Sequence, residues 1–218
     1  MNGVTIYKTS VKDKWDESVY LQALLSLPES MQQRITAYQD RLDRQSRIMS
    51  KLMLRHWMAE AKLLYSLSDV KYSAEARPFV SADLDFNIAH ADGIVMLAAA
   101  VGARVGVDIE AIKPVHISDY QEQLTEAELV HIRLSDDDDR TFYRIWTRKE
   151  AVIKAIGLGV HADWQQIDVL NDMVKYVDQT YYVQKIAVGE GHMAHLAINT
   201  PHMKVALREM RVFDFNGI

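Results

Sequence analysis

A long amphipathic segment followed by a run of short apolar segments occurs twice along these 218 residues, and that order constrains the fold more than anything else in the chain. Across residues 46–67, Ile48, Leu52, Trp57, Ala61 and Leu64 recur at near-helical spacing with Arg47, Lys51, Arg55 and Lys62 among them, so the stretch reads as a long helix. Pro78 breaks the chain ahead of 79–80, 86–89 and 94–101, three short apolar runs parted by Asp- or Gly-containing turns and read as strands. Residues 105–112 read as a further strand, and 139–156 as a second long helix that stops at Gly157-Leu158-Gly159. Short strands are expected over 166–170, 174–177, 181–188, 194–198, 205–207 and 211–215. The repeated order implies an α+β protein of two similar halves, 1–104 and 105–218, each a long helix packed on a small, mostly antiparallel sheet.

Composition narrows the setting. An apolar content of 49% supports a sizeable core, and a formal charge of -5 argues against general attraction to nucleic acid. Without cysteine there is neither a disulfide framework nor a thiolate metal site. The first residues lack the basic start and continuous apolar run of a secretory signal. The longest apolar run, Ile94–Val101, has 8 residues against the roughly 20 that cross a bilayer, so a cytoplasmic monomer away from membranes is expected.

Two stretches carry chemistry. In Val105-Gly-Val-Asp-Ile-Glu110 the strand alternation puts Gly106, Asp108 and Glu110 on one face and Val105, Val107 and Ile109 on the other. Neighbouring carboxylates about 7 Å apart repel unless water or a cation lies between them, so the face is either a solvated exterior or an oxygen-ligand site for Mg²⁺. In Trp146-Thr-Arg-Lys-Glu-Ala-Val-Ile-Lys154, Trp146, Glu150 and Lys154 follow at four-residue steps along one helix face. A helix ion pair accounts for Glu150 and Lys154, but Trp146 on the same stripe implies that this face packs inward.

Together VGVDIE and WTRKEAVIK resemble the GxDxE and W(S/T)xKExxxK signatures of the Sfp-type 4′-phosphopantetheinyl transferases. Phe86-Asn-Ile-Ala-His90, Arg77-Pro78 and the Arg-rich 44–55 segment are similar to further family features. The resemblance implies a pseudo-twofold α+β fold that binds coenzyme A between its halves, in which Asp108, Glu110 and Glu150 hold Mg²⁺. It further implies that Lys154 and His90 face the phosphates and that Arg47 and Arg77 bind the nucleotide. The reaction would place the 4′-phosphopantetheine arm on a serine of an apo-acyl or peptidyl carrier protein, releasing adenosine 3′,5′-bisphosphate. Alternatives are a Mg²⁺-dependent phosphodiesterase and a carrier-binding homologue without turnover.

Glu128 falls on the family position of a candidate general base, while Thr125 and Glu128 also form a Thr-x-x-Glu capping box, and the sequence leaves both open. The chain departs from the family at Ala89 and Ala91, where serine is usual, which removes a hydroxyl contact to coenzyme A worth about 1 kcal/mol. His192 and His195, with no metal-site partners in sequence, read as structural.

Overall fold

The computed structural model describes residues 3–211. In chain order its elements are strand β1 (Gly3–Ser10), helices α1 (Glu17–Leu25), α2 (Glu29–Thr36) and α3 (Arg41–Glu60), strands β2 (Lys71–Tyr72), β3 (Pro78–Phe79), β4 (Leu84–Ala91), β5 (Ile94–Val101) and β6 (Val105–Ala111), helices α4 (Glu126–Arg133) and α5 (Asp138–Ile156), and strands β7 (Met173–Tyr176), β8 (Gln179–Lys185), β9 (His192–Ile198) and β10 (Lys204–Glu209).

The long helices begin where side chains can cap them. Asp40 accepts from the Asp43 amide at the start of α3, and Asp137 from the Arg140 amide at the start of α5. The end of α5 comes at Gly157, whose φ of 87° is left-handed and suits glycine.

Two four-stranded sheets result, in the orders β10-β1-β5-β4 and β6-β9-β8-β7. Period-two alternation divides their side chains between faces. In the first sheet Tyr7, Val95, Leu97 and Ala99 pack against Ile48, Met49, Leu52 and Met53 of α3. The opposite face, with Val4, Ile6, Met96, Ala98 and Ala100, meets Val105, Val107, Ile109, Ala194, Leu196 and Ile198 of the second sheet. The outer face of that second sheet carries Val183 and Ala197 against Phe142, Ile145, Val152 and Ile153 of α5. The layers therefore run helix, sheet, sheet, helix, and each fully buried Leu, Ile, Met or Phe contributes roughly 1.5–3 kcal/mol of transfer free energy.

The α+β architecture of two helix-on-sheet halves agrees with the sequence reading, with one correction to the contiguous division at 104/105. Strand β10, from the end of the chain, pairs in parallel with β1, register Gly3↔Lys204 to Lys8↔Glu209, because β1 would otherwise present an unpaired edge. The strand expected over 166–170 is a turn of 3-10 helix followed by irregular chain; the Val169 amide donates to Glu128 and its carbonyl accepts from Arg148, so side chains replace a ladder. The strand expected over 211–215 lies, beyond Arg211, outside the described residues.

The seam between the halves has a distinct chemistry. β6 lies beside β4 in the same sense without a backbone ladder: the Val105 amide donates to the Asp85 carboxylate (2.7 Å) and the Val107 amide to the Asn87 side-chain oxygen (2.9 Å).

Candidate active site

Gly106 sets the geometry. A Cβ there would run into the Ala151 carbonyl oxygen and lie 2.5 Å from the Ala155 amide nitrogen, so strand β6 and helix α5 touch backbone to backbone. That approach lets side chains on either side of the contact meet: Asp108 and Glu110 from β6, Glu150 and Lys154 from α5. The Lys154 ammonium donates to Asp108 Oδ1 at 2.6 Å. Asp108 is buried, and its Oδ2 has no hydrogen-bond partner among the described residues.

Electrostatics show how closely the four groups sense one another. Burial first, opposed by Lys154, leaves the Asp108 carboxyl above its ordinary value. Burial and then the Asp108 charge push Glu110 up to about 7. Glu150 is raised by burial too, with Lys154 lowering and Asp108 raising it. Burial works to lower Lys154, but Asp108, then Glu150 and Glu110, outweigh it and hold the ammonium protonated. Three hard-oxygen donors thus share one lysine, with a buried acceptor left over, which is a donor set suited to Mg²⁺. Among the described residues, however, no three His, Asp or Glu side chains converge closely enough to cage a metal ion.

A second site lies across the seam. A cavity of about 340 Å³ opens between α2, α3 and β4, its walls including Arg34, Arg47, Lys51 and His90 with Tyr38 and Tyr72. Arg47 stacks 3.5 Å from the Tyr38 ring centre and is bonded to Asp43, and Arg34 lies 4.6 Å from the Tyr72 ring centre. Burial, and then the charges of Arg47 and Arg34, push Lys51 down to about 8. Such crowding of cations against apolar walls favours an anion. His90 is also held below its ordinary value, by burial first and Arg47 next, with the Lys154 charge adding to the effect.

The remaining site residues of the sequence reading are placed elsewhere. Arg77 does not line the cavity; its guanidinium is bonded to both oxygens of Asp85 at the seam. Glu128 has a side-chain exposure of 0%, its carboxylate paired with the fully buried Lys149 at 2.7 Å and accepting from the Thr125 and Val169 amides. The Thr125 hydroxyl in turn accepts from the Glu128 amide, completing the capping box. The general-base expectation is corrected accordingly: an enclosed carboxylate already bound to an ammonium and two amides offers a serine hydroxyl no approach. Trp146 packs inward, stacked on Phe142 and Trp164. His195 is buried against the Thr147 hydroxyl at 2.8 Å, and burial holds it neutral.

Sequence reasoning missed Arg34, Tyr38 and Tyr72 in the cavity; the only signal for them was basic and aromatic residues outside the recognised motifs. A larger groove of about 840 Å³ beside the ends of β1 and β10 contains none of the predicted site residues.

Two family models match the chain, one on each half. The 4′-phosphopantetheinyl transferase superfamily model matches residues 104–189, and the 4′-phosphopantetheinyl transferase N-terminal model matches residues 13–102. The 4′-phosphopantetheinyl transferase gsp of Aneurinibacillus migulanus is 27% identical over 154 residues, 69% of this chain and 65% of its own. The L-aminoadipate-semialdehyde dehydrogenase-phosphopantetheinyl transferase of Schizosaccharomyces pombe is 28% identical over 209 residues, 84% of this chain and 81% of its own. A solved structure, the holo-[acyl-carrier-protein] synthase of Thermotoga maritima, matches 43% of this chain with a TM-score of 0.34 and 15% identity, too little to carry an argument. With one model on each half, and the acid–lysine cluster and the basic cavity each inside a matched stretch, the chain belongs to the 4′-phosphopantetheinyl transferase superfamily.

Proposed function

We propose that this protein moves the 4′-phosphopantetheine arm of coenzyme A onto a serine hydroxyl of an apo-carrier protein, leaving adenosine 3′,5′-bisphosphate. The observation that supports it most is the pairing of an anion-seeking cavity in one half, with His90 on its wall, with an acid–lysine cluster in the other. The nucleotide phosphates fit the Arg34, Arg47 and Lys51 group, where charge-assisted bonds relieve the crowding of cations. The aromatic rings of Tyr38 and Tyr72 offer a surface for the base. Arg47 and His90, both on the cavity wall, would contact those phosphates.

Asp108, Glu110 and Glu150 would hold Mg²⁺, which would supply positive charge to offset that of the pyrophosphate. Lys154 supplies an ammonium toward the leaving phosphate, because phosphoryl transfer depends on positioning and charge compensation more than on covalent help. Lys154 would then have to leave Asp108 Oδ1, since Oδ2 already lacks a hydrogen-bond partner among the described residues. The serine proton would pass to the acid cluster or to solvent, since Glu128 is enclosed. No described helix is long and apolar enough to cross a membrane; a cytoplasmic monomer is the setting we propose.

Incubation with Mg²⁺, coenzyme A and a panel of apo-carriers, followed by mass spectrometry, tests the reading. A carrier that gains the phosphopantetheine arm supports it. Nucleotide release without any carrier gain would instead make the protein a phosphodiesterase.

A further inference from the structure

The bonds of Arg77 suit a different task from those of the cavity arginines. Nη2 donates to both carboxylate oxygens of Asp85, at 2.9 and 2.8 Å, and to the Val105 carbonyl at 2.9 Å. Nη1 donates to the backbone carbonyl of Lys154, and only Nε lacks a partner among the described residues. Asp85 is 3% exposed and also accepts from the Val105 amide and, at 3.3 Å, from Arg104. One ion pair therefore touches β4, the start of β6 and the end of α5.

We infer that Arg77 and Asp85 are positioning residues for the transfer, clamping the two halves so that Lys154 and Asp108 stay in register with the cavity. The inference rests on the transferase reading. Its physical basis is that Lys154 lies in the last turn of α5, where carbonyls lack intrahelical partners. A guanidinium there satisfies one of them and opposes the negative end of the helix. Because the same guanidinium grips a buried carboxylate of β4, the helix end that carries Lys154 is tied to the strand that carries His90.

Asp85 holds β6 directly, three residues before Asp108, and Asn87 repeats the bond at Val107. The planar fork is essential, since a lysine in place of Arg77 would keep the charge but could not reach both oxygens of Asp85 and two carbonyls at once.

The test uses the full chain with three variants: Arg77→Lys, Asp85→Asn and the double. A clamp predicts that kcat falls by about 10- to 100-fold in each single variant, as expected for a small misplacement of reacting groups. It also predicts that KM for coenzyme A and the titrated affinity for adenosine 3′,5′-bisphosphate change little, and that the double variant is no worse than the poorer single. Weakened bisphosphate binding with kcat retained in Arg77→Lys would make Arg77 a phosphate ligand and overturn the inference. Parental kcat in either single variant would do the same.

Amide hydrogen exchange provides a readout independent of turnover. Exchange should rise over residues 103–111 and 150–157 and stay parental in α3; no rise, or a uniform one, refutes the clamp. A parent protein without any transfer would sink the transferase reading, while the exchange result would still decide the clamp.

Discussion

Two acid–lysine pairs of nearly equal length stand on α5 and do opposite things. Glu128–Lys149, at 2.7 Å, is fully enclosed; the carboxylate also accepts two amides and the ammonium donates to the Trp164 carbonyl. Asp108–Lys154, at 2.6 Å, is partly open on the lysine side, leaves Asp108 Oδ2 without a partner and has two further carboxylates beside it. A saturated pair holds a fold, whereas an unsaturated one keeps capacity for a ligand. Both lysines come from the same recognised nine-residue motif, so the motif combines a structural bolt with a chemical group.

Breaking the enclosed pair should have the largest effect. Lys149→Ala leaves a buried carboxylate unpaired and should cost about 3–5 kcal/mol in denaturant unfolding, while turnover per folded molecule stays close to parental. Asp108→Ala should do the reverse: melting within a few degrees of the parent, because Lys154 keeps Glu150 and Glu110 as neighbours, but transfer slower by roughly 10²- to 10³-fold. If both variants lost stability and activity together, the contrast between the pairs would collapse.

Glu128→Gln sharpens the comparison. Glutamine preserves the capping box but not the charge facing Lys149, so unfolding should become easier by about 1–3 kcal/mol with turnover unchanged below the melting range. A general base replaced by an amide would instead slow transfer by about 10² to 10⁴, and that outcome would restore the role the sequence resemblance implied.

The smallest effect is a slope. Glu110 titrates near 7 when folded against 4.5 for the free group, so between those values the folded chain holds the proton that the unfolded chain has released. The stability this contributes is fully present below about 4.5 and is lost as pH rises through about 7. Unfolding measured across that range in chelator should show the decline, and Glu110→Gln should flatten it; an unchanged slope would mean that Glu110 is less buried than described.

Much of this was legible from local pattern. The Ile94–Val101 run, the alternation in VGVDIE and the Gly157 stop each match an observed strand, strand face or helix end, because sheet and helix periodicity are written in neighbouring residues. What the sequence left open depends on distant partners. Thr125-x-x-Glu128 signals a cap, but only the fold brings Lys149 to Glu128, and nothing around Arg77 announces that Asp85 receives it. Helices α1 and α2 and strand β1 were not recognised; their short apolar spacing settles only when α3 packs on the first two and β5 pairs with the third.

The parallel pairing of β10 with β1 bears on how the molecule is made. Residues 3–10 leave the ribosome before every other described element, whereas their neighbours at 204–209 emerge after all of them. The amino-terminal sheet therefore waits with one edge open while the second sheet is synthesised, a window in which nascent chains are prone to wrong associations. Removal of the stretch after residue 203 would strip a strand from the half made first, so such a truncation should damage the half that holds the basic cavity while the sheet bearing Asp108 keeps all its strands.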